Sequence, residues 1–264
     1  MLMEVKNQLK IMVLSVRYNI MREMTNQVTF LTNIIFMMLN NASFIIQWVI
    51  LFQLKDDFGG YQMDDVLALW ALSASTYGLS HILFLRAYHL SDLIMHGKLD
   101  AYLVQPKSVI LNVITSGTST PAIGDLLYGY IIIFIFHAKL DRILLFTYFT
   151  ITGAIILTAF AILFGSLSFW IVKGDIIASN LNNSTISFST YPEGIFKGVV
   201  KMILYTIIPV GLVVYTPLNI MLNFNLSKLL YITVFTIFIS LFACFVFNRG
   251  LKRYSSSNLM SARI

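Results

Sequence analysis

The stretch Leu229–Phe247, LLYITVFTIFISLFACFVF, contains no charged residue over nineteen positions. A helix of about 20 apolar residues is long enough to cross the hydrocarbon core of a bilayer. Five further apolar runs precede it in the chain: Val28–Leu54, Val66–Leu85, Val109–Phe136, Ile143–Val172 and Ile176–Tyr191. With a hydrophobic content of 58%, these runs predict an all-α integral membrane protein with six transmembrane helices.

The charged residues between the runs indicate how the chain is oriented. If both termini are cytoplasmic, twelve Lys and Arg residues lie inside and six lie outside. Cytoplasmic loops are enriched in Lys and Arg, so we expect both termini in the cytoplasm. The net charge of +6 then reflects topology and contact with lipid headgroups, and we expect no nucleic-acid partner.

Six spans leave no room for a separate soluble domain, so residues 1–264 are interpreted as one transmembrane domain. Residues 1–27 carry apolar side chains at helical spacing with Lys6, Lys10 and Arg17 beside them, which predicts an interfacial helix. A cytoplasmic extension of the first span is the alternative. Within residues 192–227, an apolar stretch is interrupted by Pro209, Gly211 and Pro217, which favours short or re-entrant helices at the outer face. Residues 249–264 are predicted to form a cytoplasmic tail.

The first apolar run contains amides at a regular spacing. Asn26, Asn33, Asn40 and Gln47 recur every seven residues and therefore form a stripe along one face of a helix. Amides in lipid are costly unless they bond to a neighbouring helix or to water. The stripe is either a contact between helices or the lining of a water-accessible path or subunit interface.

The fifth run is shorter and much more polar than the others. Its polar side chains include Ser179, Asn180, Asn183 and Ser187. A polar helix can cross a membrane only when it is buried among other helices or faces water. We therefore predict that this segment borders the translocation path. The alternative makes it a loop and lets Val199–Leu222 cross instead.

The connector at residues 87–107 is predicted to be a cytoplasmic coupling segment. Leu90, Leu93 and Ile94 have the spacing of a short amphipathic helix that begins near Tyr88, and Gly97 is well placed to end it. Leu99, Leu103 and Pro106 then lead back to the membrane. A short amphipathic helix joined to two spans suits docking to a soluble partner. His89 and His96 have no accompanying ligands, so we expect no metal site.

The third run contains a hydroxyl-rich segment, Thr115–Thr120, followed by Pro121, and we expect a bent helix there. Asp125 is the only acid well inside an apolar run. It is either a hydrogen-bonded residue near the bend or a proton or substrate site.

Catalytic motifs are absent from the sequence. No Gly-x-x-x-x-Gly-Lys-Ser/Thr loop, His-Glu-x-x-His or Gly-x-Ser-x-Gly occurs. We therefore expect no catalytic residue and no cofactor in this chain, and any uphill transport has to be driven by another chain or an ion gradient.

The order of several weak motifs resembles bacterial type-2 ABC transporter permeases. The similarity is carried by Ile94, Gly97, Leu99, Leu103 and Pro106, by Phe169-Trp170, by Pro192, Pro209 and Pro217, and by Arg249–Tyr254. The chain departs from the family pattern in its Asn/Ser/Thr-rich fifth segment and in His96, where a basic residue is common.

The resemblance implies an exporter subunit in the bacterial cytoplasmic membrane. It would pair with a second permease, identical or related, and with a cytoplasmic ABC ATPase dimer that binds ATP and Mg²⁺. Membrane lipids are the remaining expected partners. Two alternatives stay open: a gradient-driven secondary transporter that uses Asp125 as a proton site, and a non-transporting membrane module for immunity or sensing.

Overall fold

The computed structural model describes residues 2–105, 108–136 and 138–255, and this part of the chain is helical, with no strand. Pro106, one of the predicted coupling residues, lies outside the described residues. The α-helices are α1 (Leu2–Glu23), α2 (Gln27–Leu54), α3 (Met63–Tyr88), α4 (Leu90–Met95), α5 (Asp100–Leu103), α6 (Val109–Ile114), α7 (Pro121–Phe136), α8 (Leu140–Ser166), α9 (Gly174–Ser189), α10 (Gly198–Thr206), α11 (Thr216–Leu222) and α12 (Leu226–Leu251).

Four helical segments in the described part of the chain are long and apolar enough to cross a membrane: α2, Met63–Met95, Leu140–Phe169 and α12. A fifth is possible if Gly198–Thr206 and Gly211–Leu222, which are bent by 76° at their junction, form one span. The apolar α7 and the more polar α9 have 16 residues each, and a helix of that length measures about 24 Å. The observed architecture is therefore an all-helical bundle with four or five candidate spans.

The centre of the bundle is α3, which packs between α7 and α8. Glycines let its contact with α7 be close, because a Cβ atom at Gly78 would lie 2.7 Å from the Ala122 carbonyl oxygen. A Cβ atom at Gly129 would overlap the Ser75 hydroxyl and the Ala71 carbonyl. Small residues at helix crossings are the usual means of close packing in membranes, where the hydrophobic effect does not drive helices together.

The predicted single helix over residues 109–136 is wrong. Thr115–Thr120 is not helical, and Pro121 begins α7 instead of bending a continuous helix. The Thr115 and Ser116 hydroxyls donate to the carbonyls of Leu111 (2.8 Å) and Val113 (2.7 Å) and so satisfy the end of α6. A proline lacks the amide hydrogen that a continuing helix needs, but it fits well in a first helical turn.

The segment between α9 and α12 begins and ends at the same end of the bundle. Near its start, Gly194 contacts Gly59 of the loop that precedes α3. Its middle, at Val210 and Val213, reaches the depth of Ser73. Leu222 then lies near Ala68, close to the start of α3.

Hydrogen bonds fix this segment to its neighbours. Tyr205 donates to Oε1 of Glu193 (2.8 Å), which also pairs with Nζ of Lys201 (2.8 Å). The Tyr215 hydroxyl lies 2.9 Å from the Phe188 carbonyl and thereby ties the segment to the end of α9. In the loop before α3, burial and the nearby Glu193 carboxylate raise the pKa of Tyr61 to about 12.

Candidate functional site

The predicted coupling segment is held by its apolar side chains. Leu90, Leu93 and Ile94 are buried because α4 packs against α8, α9 and the 3-10 turn Leu167–Phe169, and Leu99, four residues beyond α4, is buried as well. The α4 helix ends at Met95, and the chain turns at Gly97, whose φ of +67° lies in the left-handed region that favours glycine. These five residues therefore position the segment against three other elements and are not available to touch a partner.

The exposed side of the coupling segment carries both charged and apolar side chains. Asp92 pairs with the His96 ring (2.8 Å) and with Nζ of Lys98 (3.0 Å). Two apolar side chains just beyond, Leu103 and Val104, are 41% and 85% exposed. Leu103 and Val104 are the two large apolar side chains in the described part of this connector that the rest of the chain leaves exposed.

A column of polar and aromatic side chains follows α3 toward α4. The His81 ring stacks between the rings of Tyr77 (3.7 Å between centroids) and Tyr88 (3.9 Å). The Tyr88 hydroxyl lies 2.7 Å from the Ser80 hydroxyl, which lies 2.9 Å from that of Thr158 on α8. Tyr88, predicted as a coupling residue, is therefore bonded into the interior of the bundle.

This column continues as a contact between α3 and α9. The Ser73 and Ser189 hydroxyls are 2.7 Å apart and buried. Below them lie two small cavities, of about 20 Å³ and 10 Å³, that share Tyr77 and Thr185 in their walls. A space of this size holds about one water molecule. We call this column, together with the Ser73–Ser189 hydrogen bond that joins it to α9, the polar seam; its other hydroxyl contacts lie within α3 or reach Thr158 of α8.

Sequence analysis missed the α3 half of this seam. Ser73, Tyr77 and His81 are four residues apart, and Ser80 and Tyr88 complete one helical face. The four-residue spacing could have identified this polar face of α3. It was missed because none of these residues is unusual by itself in a membrane helix.

The predicted path residues of α9 lie on its exposed side. Ser179, Asn180, Asn183 and Ser187 share one face of about 100° and are exposed. Ala178, Thr185 and Ser189 face the bundle and are buried. The segment is a helix and not a loop. The other half of the alternative, a crossing by Val199–Leu222, is not contradicted, because the bent pair Gly198–Thr206 and Gly211–Leu222 is a candidate span in the described part of the chain and α9 is not.

The amides of the α2 stripe differ in their exposure. Asn40 and Gln47 are exposed and Asn33 is half-buried. The buried amide is Asn41, outside the seven-residue spacing, and its Nδ2 donates to Oδ1 of Asp125 on α7 at 2.6 Å. Oδ2 of Asp125 has no hydrogen-bond partner among the described residues.

The Asn41–Asp125 contact predicts how the acid responds to substitution. In Asp125→Asn an amide oxygen still accepts from Asn41, so we expect unchanged transport in proteoliposomes. Asp125→Leu removes the contact and should lower the free energy of unfolding by about 1 kcal/mol, the usual size of such bonds between membrane helices. Transport that fails in Asp125→Asn with unchanged stability would instead indicate a proton site.

The comparison with known proteins gives a result over most of the chain. The family model described as "ABC-2 family transporter protein" matches residues 36–258, from within α2 to beyond α12. Searches of curated proteins and of solved structures found no match. Membrane subunits of this family have no catalytic domain and in general work with an ABC ATPase. Because the match covers more than half of its length, this multi-pass membrane protein belongs to the ABC-2 transporter family.

Proposed function

We propose that the chain is the membrane-spanning permease subunit of an ABC exporter. It forms the translocation path together with a second permease subunit, identical or related. Two cytoplasmic ATPase subunits bind ATP and Mg²⁺ and supply the energy. The proposal depends mainly on the family match. It is supported by the connector at residues 87–107, whose inner side is buried against the bundle and whose outer side exposes Leu103 and Val104.

The proposed topology has six crossings and both termini in the bacterial cytoplasm. The two further crossings are α7 and α9, which are short and both pack against α3. The segment 192–227 then enters from the outer face and returns to it. Its contacts with Gly59 at one end and Ala68 at the other support this re-entrant course. The α1 helix lies along the inner leaflet, and the described residues after α12, 252–255, lie in the cytoplasm.

Movement of the ATPase is transmitted to the helical bundle through residues 87–107. The exposed side of this segment contacts the ATPase, and the buried Leu90, Leu93, Ile94 and Leu99 transmit its movement to α8 and α9. Tyr88 links the same movement to α3 and α8 through Ser80. Because α9 contacts both α4 and α3, a shift of α4 changes the polar seam directly.

The translocation path runs along the exposed polar faces of α9 and α2. Trp48 of α2 contacts Tyr191, just beyond α9, with ring centroids 6.3 Å apart. The ends of α2 and α9 near Gln47 and Ser187 are therefore close together, and we assign the polar residues further along the two helices, Asn33, Asn40, Ser179, Asn180 and Asn183, to the rest of the path. A polar surface at this depth needs water or a second subunit. Its uncharged amides and hydroxyls suit an amphiphile, peptide or drug better than an ion.

The docking claim is tested with Leu103→Asp/Val104→Asp. Both residues are exposed, so the fold should persist while co-purification with the cognate ATPase falls at least about tenfold, equivalent to ~1.4 kcal/mol of binding energy. The matched control is Leu140→Asp, an exposed apolar residue at the opposite end of the bundle. Unchanged association of the double variant, with normal melting in detergent, would contradict docking at this segment.

A further inference from the structure

The turn Leu167–Phe169, between α8 and α9, lies at the same end of the bundle as the coupling segment. It contacts α4, α8, α9 and α12, and Ser168 and Phe169 are buried there. Through this turn α4 is connected to α12, the last long span of the chain. No residue of α12 belongs to the proposed docking surface or to the proposed path, so its connection to α4 is a separate feature of the molecule.

Glycines make two of the contacts around this turn very close. A Cβ atom at Gly165, near the end of α8, would lie 2.7 Å from Cβ of Leu90 on α4. A Cβ atom at Gly250 of α12 would overlap the Phe169 ring. Glycine at a helix contact lets a neighbouring group approach the backbone. Phe169 therefore occupies space that only a glycine at position 250 leaves open.

Aromatic side chains surround the Phe169 ring on the α12 side. Its centroid is 5.7 Å from that of Phe247, which is fully buried, and 6.4 Å from that of Tyr254, just beyond α12. The interplanar angles are 66° and 89°, and such edge-to-face pairs are favourable because the positive edge of one ring meets the negative face of the other. The end of α12 therefore fixes both the position and the orientation of Phe169.

The end of α12 also reaches the second half of the coupling segment. Tyr254 is half-buried, and burial together with the nearby Asp100 carboxylate raises its pKa to about 12. Asp100 is the first residue of α5. The residues at the end of α12 thus lie beside the turn on which α4 packs and beside the start of α5.

We propose that Phe169, Gly250 and Tyr254 are positioning residues for ATPase coupling, and that α12 moves together with the coupling segment. This inference rests on the proposed function, in which the ATPase moves residues 87–107. It adds α12 to the helices that respond to that movement. The fit of Phe169 against Gly250 then determines how much of each ATPase cycle reaches the path.

The test uses the chain in complex with its cognate ATPase in proteoliposomes, and the measurement is the amount of amphiphile transported per ATP hydrolysed. In Gly250→Ala the added methyl group displaces Phe169. The ratio should fall at least about fivefold, the lower end of the coupling usual between linked sites, while the ATPase still co-purifies. Leu241→Phe, which adds volume to α12 at a position that is 67% exposed, is the matched control and should leave the ratio unchanged.

A double-mutant cycle separates this contact from a general loss of packing. Phe169→Ala removes every ring atom that the new methyl group overlaps, so it should lower the ratio by a similar factor. Gly250→Ala should then have no further effect in the Phe169→Ala background, because two changes at one contact are not additive. Tyr254→Ala, which lies beyond α12 and leaves its packing in the membrane intact, should also lower the ratio.

Iodide quenching of tryptophan fluorescence reports the position of the turn without the ATPase. Trp170, directly after the turn, is 42% exposed, whereas Trp48 and Trp70 are 5% exposed, so iodide quenches mainly Trp170. In the chain alone, in detergent, Gly250→Ala should change the Stern–Volmer constant, and Leu241→Phe should not.

Three results would overturn the proposal. The first is an unchanged Stern–Volmer constant in Gly250→Ala. The second is a changed constant with wild-type transport per ATP in both Gly250→Ala and Tyr254→Ala, since the turn would then move without consequence. The third is additive effects of Gly250→Ala and Phe169→Ala. A wild-type chain that fails to co-purify with the ATPase would contradict the proposed function itself, and this inference with it.

Discussion

Replacement of Gly129 by leucine is expected to abolish folding. A Cβ atom at this position of α7 would overlap the Ser75 hydroxyl and the Ala71 carbonyl of α3, and a leucine adds three further carbons. Overpacking a core costs about 1–3 kcal/mol when side chains can adjust, and the cost is higher where backbone atoms are in the way. Since α3 is the central helix and α7 is its most extensive contact, the two helices have to separate.

The measurement is the yield of monodisperse protein in detergent and its melting temperature. Leu127→Phe is the matched control, because it adds volume to the same helix at a position that is 46% exposed. We expect the control to behave like the wild-type chain and Gly129→Leu to aggregate. A monodisperse Gly129→Leu protein with an unchanged melting temperature would show that the close α3–α7 crossing is not required.

The apolar runs predicted most of this bundle, because length and absence of charge are properties of each helix by itself. The ends of α2, α3 and α12 lie within about four residues of the predicted runs, whereas α8 ends six residues before the end of its predicted run. The break at Thr115–Thr120 was missed because hydroxyl side chains are compatible both with a bent helix and with a loop. Deciding between a bent helix and a loop requires knowledge of the residues that pack against this segment. Thr118 donates to the Ile82 carbonyl at 3.0 Å, a contact across 36 residues.

The sequence predicted the candidate site only where the pattern of residues lies within a single helix. The polar face of α9 is evident from its own spacing, and so is the short helix that ends before Gly97. The sequence pattern could not show that Leu90 and Leu93 face inward while Leu103 and Val104 are exposed. Burial depends on α8 and α9, which pack against α4 from distant parts of the chain. For the same reason the pairing of Asn41 with Asp125 could not be read from either residue alone.

The exposed face of α9 is expected to contact water, which a cysteine at Asn183 can test. In a Cys244→Ala background, Asn183→Cys should react with a membrane-impermeant thiol reagent. Phe238→Cys, 60% exposed on the long apolar α12, is the matched control and should face lipid. Thiol reagents require the thiolate, which does not form in hydrocarbon, so the control should react at least about tenfold more slowly.

Transport gives the second measurement of the same face. Asn180→Leu/Asn183→Leu should leave assembly with the ATPase intact, since both side chains point away from α3, α4 and α8. Uptake of a fluorescent amphiphile into inside-out vesicles should fall by about tenfold or more, a barrier increase of ~1.4 kcal/mol. Asn223→Leu, an exposed amide outside α9, should leave uptake unchanged. If Asn183→Cys reacts as slowly as Phe238→Cys, and the leucine variant still transports, the face contacts lipid and the path lies elsewhere.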